Sequence, residues 1–144
     1  MIAVDTNVLI YAHRTDSPFH VVASRRLTEL AEGTQAWAIP WPCVHELLAI
    51  LTNPRIYNPP STTAIALSYV DALIQSPTLI LLPETDLHWK TLVPLMQVGK
   101  IAGGRVHDAR IAALCIQHGV KELWSADRDF SRFPGLTGVN PLIS

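Results

Sequence analysis

The chain has 144 residues, 49% of them hydrophobic and 16% charged, which allows one well-packed domain over residues 1–144 with a core of its own. With 11 Lys and Arg against 12 Asp and Glu the net charge is −1, so no global positive field gathers polyanions, and any nucleic-acid contact must come from a local arginine patch or bound cations. No apolar run reaches membrane-spanning length, and an acid follows the N-terminal apolar residues at once, so a soluble cytoplasmic protein without a membrane partner is expected.

Ile2 to Val4 is a short apolar run that ends in Asp5 and reads as a buried strand. Thr6 to Ala12 has apolar residues at helical spacing, so a helix starts directly after the acid. Ser17-Pro18, a cap residue followed by proline at the first helical position, opens a helix to about Glu32, with Gly33 as its stop. Trp37 to Ile39 is a second strand. Pro42 starts a helix with Val44, Leu47, Leu48 and Leu51 as its buried stripe, ended by Asn53-Pro54. A proline-containing loop runs to Pro60. Ser61 caps a helix to about Gln75, Leu79 to Leu82 is a third strand, and Asp86 caps a helix to about Val98. Gly99 to Arg105 is a glycine-rich connection before an apolar helix, His107 to His118, stopped by Gly119. Glu122 to Ser125 is a fourth strand and Gly138 to Asn140 a fifth.

Strands alternating with helices throughout predict an α/β fold of three layers, a central parallel sheet of four to five strands flanked by helices. Cys43 and Cys115 lack a CxxC partner and are expected as buried free thiols. Trp37, Trp41, Trp89 and Trp124 each lie within or beside an apolar element and are assigned to the core.

Four acids stand out by position. Asp5 lies at the carboxyl end of the first strand, and Asp127 just past that of the fourth, in Trp124-Ser125-Ala126-Asp127. Open α/β sheets place their crevice at that edge. Asp108 opens the apolar helix and Glu46 sits near the start of the Pro42 helix, and helices that follow strands begin at the same edge. Two carboxylates about 5 Å apart repel by roughly 3 kcal/mol at an effective dielectric near 20, so four converging acids require protons or metal. Oxygen-only ligands favour magnesium or manganese, and a pair of such ions can activate water and stabilise the leaving oxygen of a phosphodiester.

Each acid also has a plain structural reading. Asp5 and Asp108 serve as helix caps, and Asp127 as a turn residue. Glu46 interrupts an apolar segment, where a buried unpaired glutamate is rare. Arg14, Arg105, Arg110 and Arg128 lie near the acidic segments, available to phosphates or to the acids themselves. His107, beside Asp108, either meets substrate or merely starts a helix.

Val4-Asp5-Thr6-Asn7-Val8-Leu9-Ile10-Tyr11, the Glu46 helix, Val106 to Leu114 and Leu123 to Phe130 resemble the successive acidic motifs of PIN domains, and more narrowly those of the VapC toxins of VapBC toxin–antitoxin modules. The resemblance spans nearly the whole chain, in order. It implies a magnesium- or manganese-dependent endoribonuclease leaving 5′-phosphate and 3′-hydroxyl ends, commonly dimeric, and inhibited by a cognate VapB-type antitoxin. Asp5, Asp108 and Asp127 would then bind metal and Glu46 would hold or orient the attacking water. Ser125 stands where the family usually has threonine. Asn7, Ser125 and Asp129 are accessory candidates, and Arg14, Arg105, Arg110 and His107 candidates for substrate contact.

Two other enzyme classes fit poorly. Haloacid-dehalogenase-like phosphatases need a second aspartate two positions after the first, and Asn7 stands there. A receiver domain needs a lysine after a late strand, and none of Lys90, Lys100 and Lys121 is so placed. The non-enzymatic alternative is a PIN-like module that binds RNA or protein without turnover.

Overall fold

The computed structural model of the chain describes residues 1–143. The elements are β1 (Ile2–Val4), α1 (Thr6–His13), α2 (His20–Glu32), β2 (Trp37–Pro40), α3 (Trp41–Leu51), α4 (Thr63–Ile74), β3 (Leu79–Leu82), α5 (His88–Gly99), α6 (Arg105–Gln117), β4 (Glu122–Trp124) and β5 (Thr137–Val139), with a 3-10 turn at Arg128–Arg132 before β5.

All five strands pair in parallel, in the order β3-β2-β1-β4-β5. The chain moves one way from β1 to β3, then crosses back past β1 to lay down β4 and β5. Right-handed crossovers therefore put α1 to α4 on one face and α5 and α6 on the other. The reversal falls between β1 and β4, the place where such sheets open a crevice at their carboxyl edge. Val4 is in register with Trp124, so the residues that follow, Asp5 and Ser125, emerge side by side.

The centre of the sheet is dry. Ala3, Val4, Trp37, Ala38, Ile39 and Leu123 are buried together with Val8, Leu9, Leu47, Ala112 and Ala113 from the helices on both faces. Burying one such large apolar side chain contributes about 1.5–3 kcal/mol. Cys43 and Cys115 are buried free thiols in this core, as the apolar pattern around each predicts.

Several helix starts fall elsewhere than the sequence suggests. Ser17 is not an N-cap: its Oγ accepts from Phe19 N in a turn, and α2 starts at His20. Thr62, not Ser61, caps α4 by accepting from Ile65 N. Asp86 does not cap α5; Thr85 Oγ1 accepts from Leu87 N in the turn before it. Only at α4 does a neighbouring hydroxyl take the cap; α2 and α5 begin without a side-chain cap. α6 starts at Arg105, so the glycine-rich connection is shorter than its composition suggests.

Trp37 and Trp124 are core residues, but Trp89 is 71% exposed and Trp41 37% exposed. The inner face of α5 is supplied by Leu92, Leu95 and Met96, which leaves Trp89 turned outward. Among the described residues no helix is long and apolar enough to cross a membrane.

Candidate active site

Asp5 is the N-cap of α1 and is only 5% exposed. Thr6 N donates to its Oδ1 at 2.8 Å and Ser125 Oγ to its Oδ2 at 2.8 Å, with Asn7 Nδ2 at 3.4 Å and the Cys43 thiol at 3.6 Å. Burial nevertheless outweighs these donors and pushes the Asp5 carboxyl up to about 6, and the charge of Glu46 adds to the rise. A carboxylate so placed gains from any cation that reaches it.

Asn7 and Ser125 lock this corner. The Asn7 side chain donates to Ser125 Oγ at 3.2 Å and accepts from Ala126 N at 3.1 Å, joining the start of α1 to the end of β4. Ser125 Oγ also accepts from Asp127 N at 3.0 Å. One hydroxyl thus positions two of the acids. Asp127 in turn caps the 3-10 turn, its Oδ1 accepting from Asp129 N at 2.9 Å.

Asp108 stands in the first turn of α6, where the helix dipole favours its ionised form. Its carboxyl is nonetheless raised above the ordinary range, first by partial burial and then by the charge of Asp127, with Asp129 and Glu46 adding to it and Arg105 opposing. Repulsion between carboxylates exceeds what the one neighbouring cation returns.

Glu46 is exposed on α3, so it is not the buried glutamate that the surrounding apolar residues suggest. Cys43, Val44 and Leu47 take the inward positions of the helix and leave Glu46 on an outer flank. Its charge acts on both Asp5 and Asp108, which makes it the common neighbour of the two. Glu46 thus links Asp5 electrostatically to Asp108, and Asp127 and Asp129 bear on Asp108 as well.

The basic candidates divide. Arg105 acts on Asp108. Arg110 Nε is 2.7 Å from Glu84 Oε1. Arg14 pairs with Asp16, donates to Pro59 O at 3.1 Å and lies over the Tyr57 ring at 4.1 Å, so its guanidinium is committed to holding the loop after α1. His107 is exposed. Sequence reasoning missed Cys43 as a donor to Asp5, because a cysteine in an apolar helix gives no polar signal. It also missed Arg132, 3.7 Å from Asp129, because the turn that carries it reads only as a loop.

Among the described residues no three His, Cys, Asp or Glu side chains stand close enough together to enclose one ion by themselves. The donor set still suits a hard divalent cation. It is all oxygen, it is short of positive partners, and magnesium is commonly held through one or two carboxylates with waters completing the shell.

Fold and site together define a class, and comparison with known proteins names it. The PIN domain family model matches residues 2–136. Ribonuclease VapC43 of Mycobacterium tuberculosis is 32% identical over 142 residues, covering 99% of this chain and 96% of the relative. Ribonuclease VapC48 of the same organism is 28% identical over 137 residues, covering 95% and 94%. The chain belongs to the PIN-domain family and, within it, to the VapC ribonucleases.

Among solved structures it is similar to VapBC2 from Rickettsia felis bound to a promoter DNA fragment, with a TM-score of 0.67, 22% identity and coverage of 97% and 98%. It is also similar to VapC20 of Mycobacterium tuberculosis, described as a sarcin-ricin loop cleaving toxin, with a TM-score of 0.65, 18% identity and coverage of 95% and 99%. At these identities the likeness speaks to the fold alone.

Proposed function

We propose that the chain is a divalent-cation-dependent endoribonuclease, the toxin of a type II toxin–antitoxin pair, acting in the cytoplasm as one PIN domain over residues 1–144. Asp5, Asp108 and Asp127 hold magnesium, with manganese able to substitute. Glu46 orients the attacking water, Ser125 and Asn7 position Asp5, and Asp129 is an accessory acid. The observation that carries this reading is the Ser125 hydroxyl, which donates to Asp5 Oδ2 and accepts from Asp127 N and so joins two acids where β1 and β4 meet. When bound, a divalent ion supplies charge neutralisation at phosphoryl oxygens and acidifies water near neutral pH.

The roles of the chain's own groups follow from their placement. Asp5 cannot turn, because its two oxygens are tied to α1 and to Ser125. Glu46 is exposed and can accept a proton from water. In this reading Arg105 and His107 contact the RNA strand near Asp108. The toxin–antitoxin complexes among similar solved structures suggest a VapB-type antitoxin, and the exposed Leu67 and Ile74, seven residues apart on one face of α4, offer an apolar strip for a homodimer.

The test is cleavage of a defined RNA by the purified chain in magnesium, manganese or EDTA, beside Asp108→Asn. Cutting that needs the ion and falls by about 100-fold or more in the variant supports the assignment. RNA bound but left intact in every ion would reduce the protein to a binding module.

A further inference from the structure

A cavity of about 230 Å³ opens between the end of α5, the start of α6 and the 3-10 turn. Leu95, Ile101 and Phe133 form apolar walls, Val98 lies at the rim, and Arg105 and Arg132 bring two guanidiniums to the lining. All three wall residues are less than a tenth exposed, whereas Val98 is 72% exposed. The slot is small against the roughly 300–1,000 Å³ of ordinary ligand pockets, so it suits one planar ring. Gly99 is part of the lining, and a Cβ there would crowd the Ile101 wall at 3.0 Å from Cδ1.

Its position ties it to the site already described. Arg105 acts on Asp108, and Arg132 Nε lies 3.7 Å from Asp129 Oδ1. Among the described residues Arg105 Nε is buried without a hydrogen-bond partner, and Arg132 has a single, long and largely exposed ion pair. An occupant must therefore combine a flat apolar part for the walls with an anionic part for the arginines. A nucleotide within a single strand has both, as base and phosphate. An apolar peptide side chain would fill the walls and leave both arginines unused.

We infer that this slot receives one unstacked nucleobase of the RNA strand, with Arg105 and Arg132 holding its phosphate, and that it fixes which nucleotide lies beside the cut bond. The inference rests on the ribonuclease reading and adds Leu95, Ile101, Phe133 and Arg132 as specificity-determining residues. Recognition by apolar walls gives preference among bases through shape and stacking.

The probes are adenosine and uridine 5′-monophosphate against ribose 5-phosphate, followed through the methyl resonances of Leu95, Val98 and Ile101 in the full chain. The nucleotides should move these resonances and ribose 5-phosphate should not. Val98→Trp, at an exposed position that leaves the core alone, should weaken nucleotide binding by about tenfold by closing the rim. Arg132→Gln should weaken it several-fold, while Lys121→Gln, the same loss of charge at the opposite edge of the sheet, should not.

Methyls that stay still, or that respond equally to ribose 5-phosphate, would overturn the slot. So would a response to N-acetyl-leucine amide alone, which would assign it to a protein partner. RNA cleavage without nucleotide shifts would sink only the slot, and nucleotide shifts without cleavage would leave a nucleotide site but overturn both the ribonuclease reading and the slot's part in choosing the cut bond.

Discussion

Ser125 Oγ donates a 2.8 Å hydrogen bond to Asp5 Oδ2 across 120 positions of sequence. It can do so because β1 and β4 are neighbours in register, and both residues are the first beyond their strands. The same oxygen accepts from Asp127 N, so one buried hydroxyl sets the spacing between Asp5 and Asp127.

Ser125→Ala should therefore cost more than a surface serine. A lost hydrogen bond to a charged acceptor is worth about 1.5–3 kcal/mol, and the unfolding midpoint in urea should fall accordingly. Cleavage should fall by about tenfold or more as Asp5 and Asp127 lose their common support. Ser125→Thr keeps the hydroxyl and should restore both. A Thr variant as weak as Ala would show that the side-chain volume matters, not the bond.

The Asp5 carboxyl gives a pH dependence of definite sign in metal-free protein. Its proton is lost near 3.8 in the unfolded chain and near 6 in the fold. Between these values the unfolded state gives up its proton first, so raising the pH through the window favours unfolding. The contribution is complete below 3.8 and lost as pH rises through about 6, roughly 3 kcal/mol in all. Asp5→Asn has no proton to lose. In EDTA its melting temperature should exceed that of the parent above pH 6, with the gap closing towards pH 4. A gap that ignores pH would remove Asp5 from this role.

Glu46 offers the opposite combination. It is exposed, so Glu46→Gln should leave thermal stability within about 1 °C, in line with other surface changes. Cleavage of RNA should nonetheless fall by about 100-fold, the usual scale for a group that handles a proton. Equal activity with an unchanged melting curve would make Glu46 an ordinary surface acid.

Much of this was legible in the sequence, and the failures have identifiable causes. Ile2 to Val4 and Trp37 to Ile39 are uninterrupted apolar runs in a chain with helices between them, which is the mark of a sheet covered on both faces. Asp5 and Asp127 could be placed at one edge because each ends or follows such a strand. The adjacency of β1 and β4 was not legible, since it depends on which way the crossovers turn and not on any local pattern. The exposure of Glu46 was also hidden, because a helix can carry apolar residues on three sides of an outward position. Trp89 misled for the converse reason: hydrophobicity marks a candidate for the core, and Leu92 and Leu95 already fill the place.

Both thiols test the packing around the site. Cys43 and Cys115 are buried, and burial pushes Cys115 up to about 12 and Cys43 well above its ordinary value, with Asp5 adding to both. Neither should react with a thiol reagent in the native protein at pH 8, and both should react once it is unfolded. Fast modification of Cys43 in the folded chain would mean that the floor beneath Asp5 is open to solvent.

The most direct trial of the central claim is a manganese titration of the metal-free chain, read by the loss of the free-ion paramagnetic resonance signal. The parent should bind the ion near neutral pH and lose affinity as pH falls below about 6, where Asp5 takes up its proton. Asp108→Asn should bind at least about tenfold more weakly, because a carboxylate has been taken from the shell. Equal binding by parent and variant, or none by the parent, would contradict the account.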